Sequence, residues 1–340
     1  MKIAIVNDLA SMNELLRRYV SLRPGHEVIW VAASGAEAVE QCARQKPDLI
    51  LMDLVMPVMD GVETTRRIMD STPCAILLVT ASVRDNIGLV FGAIGHGALD
   101  AVDIPATHAG NLPESAEPFL AKIDTIDRLI GSKSRIRSGA AATDRASRPE
   151  QHDRLVTIGA SAGGPAVLAT VLRGLPKDFP AAIVIVQHVD ERFAAGMAHW
   201  LDHESALPVR VAEEGDRPVI GRVLLAGTGD HLVLKTPDRV GYTVEPSDYV
   251  YRPSVDVFFQ SVCELWRGDV VGVLLTGMGR DGALGLKALR TRGHYTIAQD
   301  EATSAVYGMP KAAVMLQAAV DILPAGRIAA KLMEVLTAKI

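Results

Sequence analysis

Two trains of short apolar runs, each alternating with amphipathic stretches, are separated by a segment with almost nothing to bury. That interruption constrains the fold of these 340 residues more than any other feature. In the first train "KIAIV", "EVIWVA", "DLILMD", "CAILLVT" and "ALDAVDI" alternate with stretches of helical pattern such as 35–45 and 61–70, and "AEPFLAKIDTIDRLI" closes it. Apolar runs of this length read as strands buried on both faces, and strand–helix–strand spacing makes their sheet parallel. From Gly131 to Asp153, "GSKSRIRSGAAATDRASRPEQHD" is too poor in large apolar residues to cover a core and reads as an exposed flexible linker. The expected organisation is therefore an α/β unit over 1–130, a linker over 131–153 and a second α/β unit over 154–340.

In the second train the strands "LVTIG" and "AAIVIVQH" alternate with helices beginning at Pro165 and running through "FAAGMAHWL". Between about 209 and 246 the pattern changes to "VRVAEEG", "RVLLAG", "HLVLKT" and "VGYTVEP", separated by turn formers, which predicts a small antiparallel insertion. Helix "PSVDVFFQSVCELW" follows, with Ser254 as N-cap and Asp256 in the favourable first turn. Strand "VVGVLLTG", a glycine-rich loop, helix "ALGLKALRT", strand "YTIAQ" and terminal helices complete a doubly wound, Rossmann-like pattern.

Composition excludes several classes. A formal charge of −5 supplies no field for a polyanion, and the cluster Lys133, Arg135 and Arg137 belongs to the linker, so no nucleic-acid contact is expected. There is no basic recognition helix of the kind a DNA-binding output domain needs. Cys42, Cys74 and Cys263 are odd in number and far apart in sequence, which predicts buried reduced thiols rather than disulfides or a metal site. The start "MKIAIVNDLA" lacks the apolar core of a signal peptide, and no apolar run nears the ~18 residues of a membrane span. The chain is expected to be cytoplasmic, without membrane insertion.

In the first unit Asn7 and Asp8 follow strand one, Asp53 ends strand three and Thr80 ends strand four, so all four face the crevice beyond the carboxyl ends of a parallel sheet. Two carboxylates converging there form a hard-oxygen site suited to Mg²⁺. In "LMDLVMPVMDG", Asp53 sits where a phosphoryl group can be accepted.

The second unit opens with "LVTIGASAGGP", a strand running into a glycine-rich turn with Ser161 at its centre. As a dinucleotide fingerprint it has Ser161 in place of the second glycine, and the second strand ends in "VQHV", with no carboxylate for a ribose. As G-x-S-x-G it lifts a serine hydroxyl on a strand-to-helix turn, although small-residue turns at this position are common without chemistry. The loop "TGMGRDG" favours the nucleophile, because it sets Asp281 at the end of another strand. Ser161, His188 and Asp281 then come from three strands to one sheet edge as nucleophile, general base and orienting carboxylate for acyl transfer. Their order in the chain differs from that of α/β-hydrolases. Backbone amides of the two glycine-rich turns, at Ala162 and Met278, are the expected donors to an oxyanion. His199, His203 and His231 are expected at helix or turn surfaces, and the stripe Met309, Ala313 and Leu316 in the core. A non-catalytic, phosphorylation-gated interaction module is the competing reading.

The first unit resembles the receiver domains of two-component signalling, which implies Asp53 as phospho-acceptor, Asp8 as a Mg²⁺ ligand and Thr80 as the switch residue. Two departures stand out: Asn7 replaces an acidic residue, and Ile104 stands before Pro105 where receivers carry lysine. The second unit resembles the CheB family of protein-glutamate methylesterases through "IGASAGGP", "VQHV", "RPSVDVFF", "LLTGMGRDGA" and "AQDEATSAVYGMPKAA". The stretches "IVNDLA" and "GHGALDAVDIPA" are most similar to the WspF-type, surface-sensing group of that family. The resemblance implies hydrolysis of glutamate γ-methyl esters on methyl-accepting chemoreceptor cytoplasmic domains, and glutamine deamidation by the same chemistry. It also implies a CheA-type histidine kinase as phosphodonor and no cofactor for hydrolysis itself.

Overall fold

A computed structural model describes residues 1–83, 85–104, 112–130, 154–247, 249 and 251–337. The stretch read as a linker, with its basic cluster, and Pro105 lie outside the described residues. The chain divides into two compact units, Met1–Arg137 and Ser138–Ile340.

In the first unit β1 (Lys2–Val6), β2 (Glu27–Ala32), β3 (Leu49–Asp53), β4 (Ala75–Thr80) and β5 (Asp100–Asp103) form one parallel sheet in the order β2-β1-β3-β4-β5. The connecting helices are α1 (Ala10–Ser21), α2 (Gly35–Arg44), α3 (Gly61–Ser71) and α4 (Ile87–Gly95), with α5 (Leu112–Ile130) after the last strand. The sheet is buried through Ile3, Ile5, Leu49, Leu51 and Leu77, which pack with Leu16 and Tyr19 of α1 and Phe119 of α5. Side chains start two helices: Ser34 Oγ accepts from Glu37 N at 3.3 Å and Asp60 Oδ1 from Glu63 N at 2.8 Å, each satisfying an amide the helix cannot. Cys42 is buried, its thiol donating to Thr72 O at 3.8 Å, but Cys74 is only half-buried.

The second unit is a seven-stranded, wholly parallel sheet in the order β14-β13-β12-β6-β7-β9-β8. Its strands are β6 (Leu155–Ala160), β7 (Ala182–Gln187), β8 (Val209–Val211), β9 (Val223–Leu225), β12 (Val270–Leu274), β13 (Tyr295–Gln299) and β14 (Asp321–Leu323). A separate antiparallel hairpin joins β10 (His231–Thr236) to β11 (Arg239–Thr243). The helices are α6 (Gly164–Arg173), α7 (Glu191–Glu204), α8 (Val255–Leu265), α9 (Ala283–Thr291), α10 (Met309–Met315) and α11 (Ala325–Thr337).

Four expectations need correction. "VRV" and "VLL" are not part of an antiparallel insertion; they extend the main sheet in parallel, and only the hairpin is antiparallel. Alternating apolar residues define a strand's faces but not its partner's direction. The terminal region also contributes a short edge strand, β14, as well as helices. His231 is completely buried rather than at a surface. Of the stripe on α10, Met309 and Ala313 are in the core, whereas Leu316, at the helix end, is 40% exposed.

Strand order reverses between β6 and β12: β7, β9 and β8 follow on one side, β13 and β14 on the other. The carboxyl ends of β6 and β12 therefore flank the switch-point crevice, where ligands of doubly wound sheets bind. No described helix is long and apolar enough to cross a membrane.

Candidate active site

Ser161 follows β6 and is 9% exposed. Its amide donates to Thr276 O at 3.0 Å, which ties the serine turn to the loop after β12. Its carbonyl accepts from Gly164 N at 2.7 Å and from Gln187 Nε2 at 2.9 Å. Thr276 donates its hydroxyl proton to Ala162 O at 2.9 Å and accepts from Val306 N at 2.9 Å, while its own amide donates to Gln299 Oε1 at 2.8 Å. The turn is thus held by buried polar side chains at the ends of apolar strands. Gly163, the N-cap of α6, has φ 75°, a left-handed conformation that strains other residues. Gly277 is required by proximity, because a Cβ there would lie 2.7 Å from Ser161 Cβ and 2.2 Å from Met309 Sδ.

Register brings the histidine next to the serine. Ala160 pairs with Gln187 on neighbouring strands, and His188 N donates to Ala160 O at 3.0 Å, so Ser161 and His188 leave adjacent strands at one level. His188 Nε2 donates to Asp281 Oδ2 at 2.7 Å. A carboxylate only accepts, so Nε2 carries a proton, and in the neutral ring the lone pair lies on Nδ1. Nδ1 is buried without a hydrogen-bond partner, and the bond from Ser161 Oγ is not formed in this state.

Asp281, 7% exposed, is a hub of acceptors. Besides His188 it accepts from Ser254 Oγ at 2.8 Å, Val255 N at 2.7 Å and Asp256 N at 3.1 Å. Burial pushes its pKa up, but the His188 ring, the Ser254 hydroxyl and the Val255 amide outweigh burial and hold it below the ordinary carboxylate value. The amides belong to the first turn of α8, whose dipole also favours the anion. Nearby Asp256 accepts from Gly285 N of α9 at 2.7 Å; burial first, and the Asp281 charge second, push it up to about 6.

Among the described residues, neither the Ala162 amide nor the Met278 amide meets a partner, and both residues are partly exposed at the rim of the two turns. His199 and His203 lie exposed on α7. Sequence reasoning missed Tyr251, whose ring lies flat on His188 with centroids 4.4 Å apart and planes 6° from parallel. It sits between β11 and α8 in a stretch without periodicity, so no pattern marked it. The polar residues Gln187 and Gln299, each ending an apolar strand, and Thr276, two residues beyond β12, were the legible hint to the rest of the scaffold.

In the first unit Asn7 is 2% exposed and donates from Nδ2 to Asp53 Oδ2 at 2.8 Å, while its Oδ1 accepts from Leu9 N at 2.8 Å. Burial raises the Asp53 pKa, and the Asp8 charge raises it further against the Val55 and Leu54 amides. Two mutually repelling carboxylates at the sheet edge are a donor set that Mg²⁺ fits, with water completing its shell. Asn7 offers the site an N–H rather than an oxygen. Thr80 is buried; its hydroxyl accepts from Asn86 Nδ2 at 3.0 Å and its carbonyl from Ile104 N at 2.8 Å. Ile104 packs on the core, so no ammonium reaches Asp53 from that position.

Comparisons with known proteins match both units. A family model described as CheB methylesterase covers residues 156–332, and one described as response regulator receiver domain covers residues 3–109. A protein-glutamate methylesterase/protein-glutamine glutaminase 2 of Pseudomonas syringae pv. syringae (strain B728a) is 59% identical over 99% of this chain and 100% of its own length. One numbered 4, from Burkholderia thailandensis, is 59% identical over 98% of this chain and 96% of its own. Among solved structures, the Thermotoga maritima CheB methylesterase catalytic domain aligns with a TM-score of 0.51 and 38% identity, covering 54% of this chain and 98% of that one.

Proposed function

The chain belongs to the CheB methylesterase family, and from that membership we propose that it hydrolyses glutamate γ-methyl esters, and deamidates glutamine, on the cytoplasmic domains of methyl-accepting chemoreceptors. The observation that carries this reading is His188: anchored to Asp281 at 2.7 Å, it keeps a buried, unpartnered Nδ1 one strand away from Ser161.

In this mechanism Nδ1 of His188 takes the Ser161 proton as Oγ attacks the γ-carbonyl, then returns it to departing methanol. Water repeats the step on the acyl-enzyme and releases the carboxylate. The serine–imidazole bond closes on substrate binding, as catalytic hydrogen bonds commonly do. Asp281 holds the tautomer and balances the imidazolium charge without itself taking the proton. The unengaged Ala162 and Met278 amides supply the oxyanion donors, each worth roughly 3–4 kcal/mol in comparable sites.

The receiver confers regulation by phosphorylation. In our reading a CheA-type histidine kinase phosphorylates Asp53, Thr80 reads the phosphoryl group, and Asp8 and Asp53 hold Mg²⁺. That ion, when bound, neutralises charge on the transferred group. The non-catalytic alternative is disfavoured because a pure adaptor has no use for an anchored imidazole whose buried Nδ1 has no hydrogen-bond partner. Methanol release from methylated receptor decides between the two: it should appear with the intact chain and vanish with Ser161→Ala, and undiminished release from that variant would sink the mechanism.

A further inference from the structure

The β10–β11 hairpin supplies none of the three residues assigned to the chemistry, yet its first side chain is tied to the surroundings of His188 and Asp281. His231 is completely buried, and both ring nitrogens are engaged: Nε2 donates to Pro246 O at 3.1 Å and Nδ1 accepts from Ser254 N at 3.1 Å. A carbonyl cannot donate and an amide N–H cannot accept, so the ring is neutral and fixed in one tautomer. Its two partners bracket the stretch that carries Tyr249 and Tyr251. Tyr249 meets the His231 ring edge-on, with centroids 5.9 Å apart and an 82° interplanar angle. Tyr251 stacks on His188, and its hydroxyl stands beside Gly279 in the loop that carries Asp281, 3.2 Å from where a Cβ would project. Ser254, whose amide reaches His231, sends its hydroxyl to Asp281.

A single hydrogen bond fixes one atom of an imidazole but leaves its plane free to swing; a stacked face fixes the plane. We propose that His231 is a positioning residue for the ester hydrolysis. As a doubly bonded neutral staple it pins Pro246 and Ser254, so that Tyr251 sets the plane of His188 and Ser254 steadies Asp281, keeping the Nδ1 lone pair where Ser161 can use it. This inference rests on the proposed function.

The test uses the full chain and compares His231→Ala and His231→Asn, whose short amide can still accept from Ser254 N, with Tyr251→Leu and Tyr251→Phe. Methanol release from a methylated receptor cytoplasmic fragment gives kcat and KM. His231→Ala lowers kcat about 10- to 100-fold while KM moves less than about threefold, the signature of a misaligned base rather than lost binding. His231→Asn recovers at least about fivefold of that loss. The double variant His231→Ala/Tyr251→Leu falls no more than about twofold below the worse single one, because both act on the same ring. A kcat for His231→Ala within about twofold of wild type, or fully multiplicative losses in the double variant, overturns the proposal. If His231→Ala does not fold, Tyr251→Phe, which keeps the ring, must exceed Tyr251→Leu at least about fivefold in kcat, and equality overturns it. Absence of methanol release from wild type sinks the functional reading instead. The crystal structure of His231→Asn or His231→Ala still decides the inference: Tyr251 displaced or rotated on His188 sustains it, and an unmoved stack in His231→Ala overturns it.

Discussion

Asn7 donates an amide proton to Asp53 across 2.8 Å, so the group beside the proposed phospho-acceptor is a hydrogen-bond donor where a second acidic residue is usual in receivers. A donor there competes with a cation for the same carboxylate oxygen. Asn7→Asp should tighten Mg²⁺ binding about tenfold, since hard-cation affinity rises with the number of charged ligands. Calorimetric Mg²⁺ titration of the full chain checks this; unchanged affinity would show that the amide is not what limits the site.

Phosphorylation at Asp53 is expected to release the catalytic unit. A small phosphodonor with Mg²⁺ should raise methanol release several-fold, a shift of about 1–2 kcal/mol in a two-state balance. Asp53→Asn should abolish the stimulation and leave the unstimulated rate. The fragment from about 152 to 340 should exceed the unphosphorylated whole chain in specific activity; equal activities would remove the receiver's restraining role.

Asp281→Asn keeps the size of the side chain but gives one acceptor oxygen in place of two, against four donors in the native site. The amide would favour the wrong imidazole tautomer, and kcat should fall by about 10³- to 10⁴-fold, as in triads altered this way. Retention of more than a tenth of wild-type kcat would mean that Asp281 does not orient His188 during turnover.

Asp256 predicts a pH signature in stability rather than rate. Its folded pKa is about 6, against 3.8 for the free side chain, because burial and the Asp281 charge disfavour ionisation. Between those two values the folded chain holds a proton the unfolded chain has released. The group's stabilising contribution is therefore full below about pH 4 and is lost as pH rises through about 6. Asp256→Asn, which can still accept from Gly285 N, should raise the unfolding free energy near pH 7.5 by roughly 1–3 kcal/mol and flatten its dependence across that window. Urea unfolding of both proteins between pH 4 and 8 measures it; a neutral or destabilising effect at pH 7.5 contradicts the assignment.

Much of this was written in the sequence. The runs that became β1, β3, β4, β6, β7, β12 and β13 are apolar because both faces of a parallel sheet are covered, and Ser254 was legible as a cap because helix starts need an acceptor. Ser161, His188 and Asp281 could be placed at one edge because each follows a strand. What stayed hidden depends on packing. His231 follows a turn-rich stretch of the kind found at surfaces, and the hairpin's packing against α8, with Pro246 and Tyr249 on the ring, buries it. Tyr251 acts through a ring face in an aperiodic loop. The direction of β8 and β9, and the three-residue β14, rest on neighbours that local pattern does not specify.

Anchoring through Nε2 exchanges the two ring nitrogens of His188 relative to chymotrypsin-type proteases, where the carboxylate takes Nδ1–H and Nε2 works on the substrate. The atom free to react is therefore the one nearer the main chain, reached along the strand edge and not from the outer tip of the ring. An electrophilic affinity reagent shaped like a glutamyl ester should alkylate this enzyme at the inner nitrogen, and reagents whose geometry suits the protease arrangement should pass it by.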